Sequence, residues 1–432
     1  MTSFLCVVSL LLACNSLGFE SFGEHYSERD VLISGYDEES YKGAISAVKK
    51  AYQLTDIHFQ PLGEIEYNTG KLSPGVEYTG MIYSSVKELG TYVGTNVSFH
   101  TFLSAVYNPR SKLYTEHLNK IPYHGKNCKA YYGTVCSGLV SYALGLFPIM
   151  TSYDFVSSPC MTDIKYQSPN DVHLADVLWK PGHVAIITDV IRDKSGVVVS
   201  IEISEAIQSG CRRYYCSKSK FNSIMHSSFN KVLRYNNLRA NTYNIEQSNY
   251  VSVLDESSVC FKPNNDLCVD KGDRSNYLKG ENVVINLLNE FSNIDIYKDG
   301  SFYKSIDASN STDIILPGLD YGSYQAYGKR NGYTSDPTNW IIVDYSISVV
   351  SDESLILFSS LNSSPVSIHF CNLSGDRVYP ATELLCRTLR FEEISCGIID
   401  LSHSLMKEDC PFFVIGFQTD FGNVFTLPIR YL

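Results

Sequence analysis

Two hydrophobic periodicities divide this chain, and the switch between them constrains its fold more than any other feature. A helical pattern runs from Glu39 to Ala51, with Tyr41, Ile45, Val48 and Tyr52 on one face. A break follows at Lys71-Leu-Ser-Pro-Gly75, and from Tyr78 to about Tyr235 helical and strand patterns mix. Around Asn236–Asn249 the sequence turns polar and Asn-rich, as in a loose excursion. Beyond Asn276 only short alternating strands remain, such as Val283–Leu287, Asn293–Tyr297 and Gly322–Tyr327, with Lys298-Asp-Gly-Ser301 as a hairpin turn. The same texture resumes from Tyr345 to the C-terminus. Strands recurring about every ten residues predict two small Ig-like β-sandwiches after a mixed α+β region. A chain of 432 residues has the length for two to four such units at about 150 residues each.

The chain carries 46 acidic against 35 basic residues, a net charge of −11, which argues against nucleic acid or an anionic membrane surface as a general partner. Hydrophobic residues at 44% and charged residues at 19% exclude disorder and a coiled coil. Near the N-terminus, Phe4-Leu-Cys-Val-Val-Ser-Leu-Leu-Leu-Ala13 is apolar but too short to cross a bilayer, and Ser16-Leu17-Gly18 follows with small-x-small form. Residues 1–18 are therefore expected to be a secretory signal peptide, which makes the protein extracellular. An alternative is Leu11-Leu12-Ala13-Cys14, similar to a lipoprotein box that would anchor the chain by lipid at Cys14. No later stretch reaches about 18 apolar residues, so no transmembrane segment is expected. Sequons at Asn96, Asn310, Asn362 and Asn372 are compatible with a secreted glycoprotein.

The chemistry concentrates in two segments. In Gly133-Thr-Val-Cys136-Ser-Gly-Leu-Val, the residues Cys136, Leu139, Val140, Ala143 and Phe147 fall at helical spacing, so Cys136 opens a helix with a buried face. There the helix macrodipole and free N–H groups favour the thiolate, and the Cys136 N–H lies where an oxyanion would form. Ser137-Gly138 is expected to keep bulk away from an approaching substrate. The second segment, Pro181-Gly-His183-Val-Ala-Ile-Ile, places a histidine at the mouth of an apolar strand, where it can serve as base to a thiol. That strand turns at Asp193-Lys-Ser-Gly196 and returns as Val197-Val-Val-Ser-Ile-Glu202-Ile-Ser-Glu205. Glu205 lies opposite His183 if the hairpin closes symmetrically, and would hold the imidazole tautomer as third member of a triad. Glu202 takes that role if the register differs, because neighbouring strand positions face opposite sides.

At these residues a family resemblance appears. Cys136-Ser-Gly-Leu-Val resembles the nucleophile motif of the NlpC-type cell-wall peptidases, a papain-like superfamily. Pro122-Tyr123-His-Gly125 is similar to that family's Tyr-x-x-Gly motif, whose tyrosine helps stabilise the oxyanion. Gly182-His183-Val-Ala-Ile resembles both that family and the CHAP amidases, and the Ser204-Glu205 ending looks more like CHAP, where a glutamate orients the histidine. The resemblance implies a papain-like α+β catalytic domain, a Cys136–His183–Glu205 triad with Tyr123 at the oxyanion, and no metal or cofactor. It implies hydrolysis of peptide or amide bonds in peptidoglycan or a related cell-surface polymer, by a monomer. It covers residues 78–235 only, and departs from the family at Val135, where NlpC-type enzymes carry Asp, and at the third triad member, usually a histidine. The expected organisation is a signal peptide at 1–18, the hydrolase with an N-terminal extension at 19–272, and sandwiches at 273–345 and 346–432.

Two rivals stand beside this reading: an inactive binding or adhesion protein that works through its sandwiches, and an acyltransferase of transglutaminase-like Cys–His–acid order. His100, His117, His124 and His173 lack metal-ligand spacing. The 31 tyrosines suit sugar-stacking surfaces as well as cross-strand packing. Thirteen cysteines, less Cys6 and Cys14 in the leader and Cys136 as nucleophile, leave an even ten able to form disulfides, with Cys211 beside Cys216 and Cys260 beside Cys268 as near neighbours in sequence and Cys128 left to Cys160.

Overall fold

The computed structural model describes residues 36–67, 70–84, 93, 97–115, 132–146, 149–238 and 261–350, and strands at 355–361, 363–371, 395–400, 412–419 and 424–430; from 344 onward it is described as backbone alone. The expected leader, Cys14 and Tyr123 lie outside these residues. The first helix, α1 (Glu38–Thr55), starts where Asp37 accepts the Ser40 N–H at 2.7 Å and Glu38 and Glu39 meet the positive end of the dipole. Its buried stripe runs through Tyr41, Ala44, Ala47, Val48, Ala51 and Leu54. Small alanines line that stripe, which lets α1 lie close to the elements beneath it, while Ile45 and Tyr52 are half-buried at its edges. Short strands β1 (His58–Phe59), β2 (Ile65–Tyr67), β3 (Gly70–Leu72) and β4 (Tyr78–Thr79) follow, pairing β1 with β4 and β2 with β3. Helices α2 (Phe99–Val106), α3 (Lys112–Thr115), α4 (Cys136–Ala143) and α5 (Ser152–Ser157) lead into the central sheet.

That sheet has six antiparallel strands in the order β5-β10-β6-β7-β8-β9. They are β5 (Met161–Asp163), β6 (Val177–Lys180), β7 (His183–Arg192), β8 (Val198–Ile207), β9 (Gly210–Ser217) and β10 (Lys231–Tyr235), with helix α6 (Lys218–Ser227) between the last two. Val184-Ala-Ile-Ile187 reads as a continuous apolar run because both faces of the sheet are covered. Val184 and Ile186 join the larger core with α1, α2 and α4. Ala185 and Ile187 join a second core with Ile201, Ile203, and Phe221 and Met225 of α6.

The C-terminal part is a β-sandwich continued by further strands. One sheet is β11 (Leu267–Val269), β13 (Val283–Leu287) and β16 (Asp313–Leu316); β12 (Ser275–Leu278) runs parallel to β19 at the other sheet. That other sheet holds β14 (Asn293–Lys298), β15 (Ser301–Asp307), β17 (Gly322–Arg330) with the short β18 (Tyr333–Thr334), and the long β19 (Thr338–Val350). Leu267, Ile285, Ile294, Tyr324 and Trp340 meet in the core between the two sheets. The expected turn at Asp299-Gly300 is present, with both residues at positive φ (50° and 77°), the geometry a right-twisted two-residue hairpin needs. The sandwich takes its first strand from before residue 273, and β19 crosses 345/346 to pair with β20 (Leu355–Leu361), which pairs with β22 (Ser395–Asp400). The strands β21 (Ser363–Cys371), β23 (Phe412–Thr419) and β24 (Val424–Arg430) form a separate antiparallel sheet. As a whole the described chain is mostly β with few helices.

The sandwich is docked to the larger core by polar bonds. Asn108 donates to Asn286 at 2.9 Å, His100 meets Asp273 at 2.9 Å, and Arg110 reaches the Thr312 carbonyl and Asp313. Gly272 permits the close approach: at φ 100° a Cβ there would lie 2.3 Å from the Thr101 carbonyl oxygen. The cysteines depart from the sequence expectation. Cys211 and Cys216 lie five residues apart on one strand, so they face opposite sides, one in each core. No disulfide can join them. Both are buried thiols, as is Cys268, so the argument from an even ten does not hold.

Candidate active site

The structure brings Cys136, His183 and Glu205 together. Val135 precedes α4 without a side-chain cap, so the first-turn N–H groups stay open, and the Ser137 N–H bonds to the Cys136 sulfur. Gly138 does not serve the substrate side: a Cβ there would meet Thr134 Oγ1 at 2.4 Å, so this glycine lets the helix start pack on Thr134. His183 is set by the two-residue turn Pro181-Gly182, with Gly182 at φ 78° and Lys180 paired to His183. It bonds to the Cys136 thiol through its side chain, and the neighbouring Val184 N–H also donates to that sulfur. Its Nε2 meets Glu205 Oε2 at 2.8 Å, which leaves Nδ1 for the thiol. Phe229 stacks on the imidazole at 5.9 Å between ring centres.

Register chooses between the two acidic candidates. On β8, Ile201 and Ile203 join the core beneath α6, while Ala206 joins the core beneath α1. Alternation therefore puts Glu205 on the side of His183 and Glu202 on the opposite side. Glu202 is 1% exposed and accepts from Tyr52 at 2.7 Å, Thr188 at 2.8 Å and Arg213 at 2.8 Å. It has no part in the Cys136–His183 cluster, so the alternative role expected for it is not the one it holds.

Electrostatics couple the three residues. Burial pushes the Cys136 thiol up, but its hydrogen bond with His183, the Val184 N–H, the imidazole charge and the Ser137 N–H hold it below the ordinary thiol range. Burial opposes charging of His183, yet its bonds to Cys136 and Glu205 raise it to about 9. Burial also works against the Glu205 carboxylate, and His183 and Arg212 outweigh it and keep Glu205 below the usual carboxylate range. Both shifts run toward a thiolate–imidazolium pair: the thiol is made easier to deprotonate and the imidazole easier to protonate.

Two residues of this neighbourhood escaped the sequence reading. Tyr83 is bridged to Thr134, two residues before Cys136, with Ser84 N–H donating to the Thr134 carbonyl at 3.0 Å and Thr134 N–H to the Ile82 carbonyl at 2.9 Å. Gly133, at φ 111°, makes that approach possible, since a Cβ would lie 2.4 Å from the Ser84 Cβ. Burial, then the charges of Cys136 and Cys211, raise the Tyr83 phenol, so it stays protonated as a donor beside the thiol. The only hint in sequence is the short apolar run after Gly80, about fifty residues upstream. The other is Arg212, whose Nε and Nη2 lie 3.0 and 2.6 Å from Glu205 Oε1. Among the described residues no cluster of His, Cys, Asp or Glu could hold a metal ion, and no helix is long and apolar enough to cross a membrane.

No family model matches this chain, and no curated protein matches it. Solved structures of immunoglobulin and fibronectin type III domains each match part of this chain. The immunoglobulin domains 1–4 of Sidekick-1 are 16% identical over 36% of this chain, which spans 44% of that fragment, with a TM-score of 0.17. A two-domain fibronectin type III segment of chicken tenascin is 14% identical over 39% of this chain and 99% of that one, with a TM-score of 0.18. Fibronectin(III)-like modules of Clostridium thermocellum CbhA are 10% identical over 38% of this chain and 93% of that one, with a TM-score of 0.17.

Proposed function

We propose that this chain is a secreted cysteine hydrolase of papain-like, NlpC/CHAP type that cleaves peptide or amide bonds, with peptidoglycan peptides as substrate and Ig-like sandwiches that bind or space. The observation that carries the reading is one hydrogen-bonded line: a thiol at a helix start, an imidazole, and a buried carboxylate. The Cys136 thiolate attacks the scissile carbonyl carbon, and the π pair moves to oxygen. The Cys136 N–H at the open helix start, assisted by the protonated Tyr83 phenol near the thiol, is the oxyanion donor in this reading; Tyr123 lies outside the described residues. His183 then gives its proton to the leaving nitrogen, the C–N bond breaks, and an acyl thioester remains. Neutral His183 next takes a proton from water, whose oxygen attacks the thioester and releases the acid and the thiolate. Glu205 stabilises the imidazolium throughout and stays ionised.

The test is mass spectrometry of purified peptidoglycan fragments digested by the wild type beside Cys136→Ala. Products that appear with the wild type and vanish in a folded Cys136→Ala protein support the reading. Identical digests overturn it. Cross-linked product with an added amine would instead mark a transferase.

A further inference from the structure

Glu205 is 5% exposed, and each of its carboxylate oxygens has a different task. Oε2 meets His183 Nε2 at 2.8 Å, while Oε1 takes two N–H groups from one guanidinium, Nε at 3.0 Å and Nη2 at 2.6 Å. The guanidinium belongs to Arg212, which the β8–β9 pairing sets directly across from Glu205. Side chains opposite each other on neighbouring strands share a face, so this grip follows from the register. The Arg212 guanidinium lies 5.2 Å over the Tyr214 ring, which supports its plane from below.

We propose that Arg212 is a positioning residue: its two-point hold on Oε1 fixes the rotation of the Glu205 carboxylate so that Oε2 faces His183. The inference rests on the hydrolase reading of the same site. A single-point donor would leave the carboxylate free to turn about its own axis, whereas two donors on one oxygen lock its plane. Losing the hold strips both guanidinium donors from that oxygen and leaves the Tyr214 hydroxyl, which also bonds to Glu205, to draw the carboxylate toward β9 and away from the imidazole. Arg212 is 53% exposed at its side chain, so the direct repulsion of its charge on His183 is damped by solvent and the orientational effect prevails. Other charged or titratable groups facing the cluster among the described residues include Cys136 from α4, Tyr83 and Cys211 beside Cys136, Tyr214 and Cys216 on β9 near Glu205, and Lys180 on β6, whose ammonium lies 5.7 Å over the Phe229 ring.

The test reads the thiol itself and needs no substrate. Alkylation of Cys136 by iodoacetamide is followed against pH in the full chain as wild type, Glu205→Gln, Arg212→Met and Arg212→Lys, with thermal melting as the check on folding. The expected result is an acid limb that moves upward in Arg212→Met toward that of Glu205→Gln. On the acid limb itself, where the rate follows the thiolate fraction, a one-unit move should lower the rate about tenfold at fixed pH. Arg212→Lys, which keeps charge but has one point of contact, should fall between the wild type and Arg212→Met. Wild-type behaviour of Arg212→Met overturns the proposal, and so does wild-type behaviour of Arg212→Lys, which remains informative if the Met variant does not fold. A wild type whose Cys136 reacts only above the ordinary thiol range, or not at all, overturns the hydrolase reading instead, and the role of Arg212 with it.

Discussion

Glu202 and Glu205 lie three residues apart on β8, both almost fully buried, and consecutive arginines of β9 hold them, Arg213 the first and Arg212 the second. The likeness ends there. Glu202 faces α1, where Tyr52, Thr188 and Arg213 satisfy it with groups that have no proton to exchange near neutrality. Arg213 also reaches Asp56 just past the end of α1, at 2.8 Å, so this carboxylate ties helix to sheet. Glu205 faces the other way and spends one oxygen on an imidazole that is itself bonded to a thiol. A buried charge surrounded by fixed donors is structural; one that shares its donor with a nucleophile can shape chemistry. The two faces of one strand thus separate cohesion from reactivity.

The sharpest way to break this contrast is Glu205→Gln. Hydrolysis should fall by about ten-thousandfold, as expected when the group holding a catalytic histidine loses its charge, and the melting temperature should fall too, because Glu205 is the buried partner of Arg212 and His183. The pH profile gives the sign. Activity needs thiolate and imidazolium together, so it rises as Cys136 loses its proton and falls as His183 loses its own, near pH 9 in the wild type. Without the Glu205 charge, the alkaline limb should move down toward the ordinary histidine value of about 6.5. An unmoved alkaline limb, measured as rate against pH, would show that Glu205 does not carry the coupling.

Glu202→Gln should cost stability alone. It removes the charge that Arg213 and two hydroxyls surround, at a cost of about 3 kcal/mol, the scale for breaking a buried ion pair from one side. Chemical denaturation should register this loss, while Cys136 keeps its alkylation profile. A Glu202→Gln protein with wild-type stability and a shifted thiol would invert the assignment of the two faces.

How far these roles were legible in sequence follows from how local each one is. The apolar run Val184–Ile187, the turn at Asp193–Gly196 and the acidic return strand are contiguous, so β7, β8 and the pairing of His183 with Glu205 could be read from period and order. Irregularities of register at Ile187/Asp189 and Ile191/Arg192 could not, and these left Glu202 open as an alternative. Arg212 and Arg213 stand side by side in the sequence, but their division between the two faces appears only once β9 pairs with β8. Tyr83 depends on a bridge to Thr134 across about fifty residues, and no local pattern encodes that approach. The alanine stripe of α1 was hidden because Ile45 and Tyr52 are the more hydrophobic marks, whereas close helix packing selects small residues.

The finest probe of the division is Thr188→Val. Thr188 Oγ1 donates to Glu202 at 2.8 Å and lies 3.0 Å from Ser204 Oγ, so it belongs wholly to the α1 side. Valine keeps the shape and the strand preference and removes one hydroxyl, leaving Tyr52 and Arg213 to satisfy Glu202. The loss should be about 1 kcal/mol, the net worth of a single hydrogen bond whose acceptor retains other donors. Thr188 sits on the same strand as His183, five residues along, so any leak between the faces would travel through β7 itself. If the division is sound, denaturation registers the small loss and the iodoacetamide profile of Cys136 overlays that of the wild type. A shifted profile at so small a cost in stability would mean that the Glu202 network sets the position of His183 through the strand, and that cohesion and reactivity are one system rather than two.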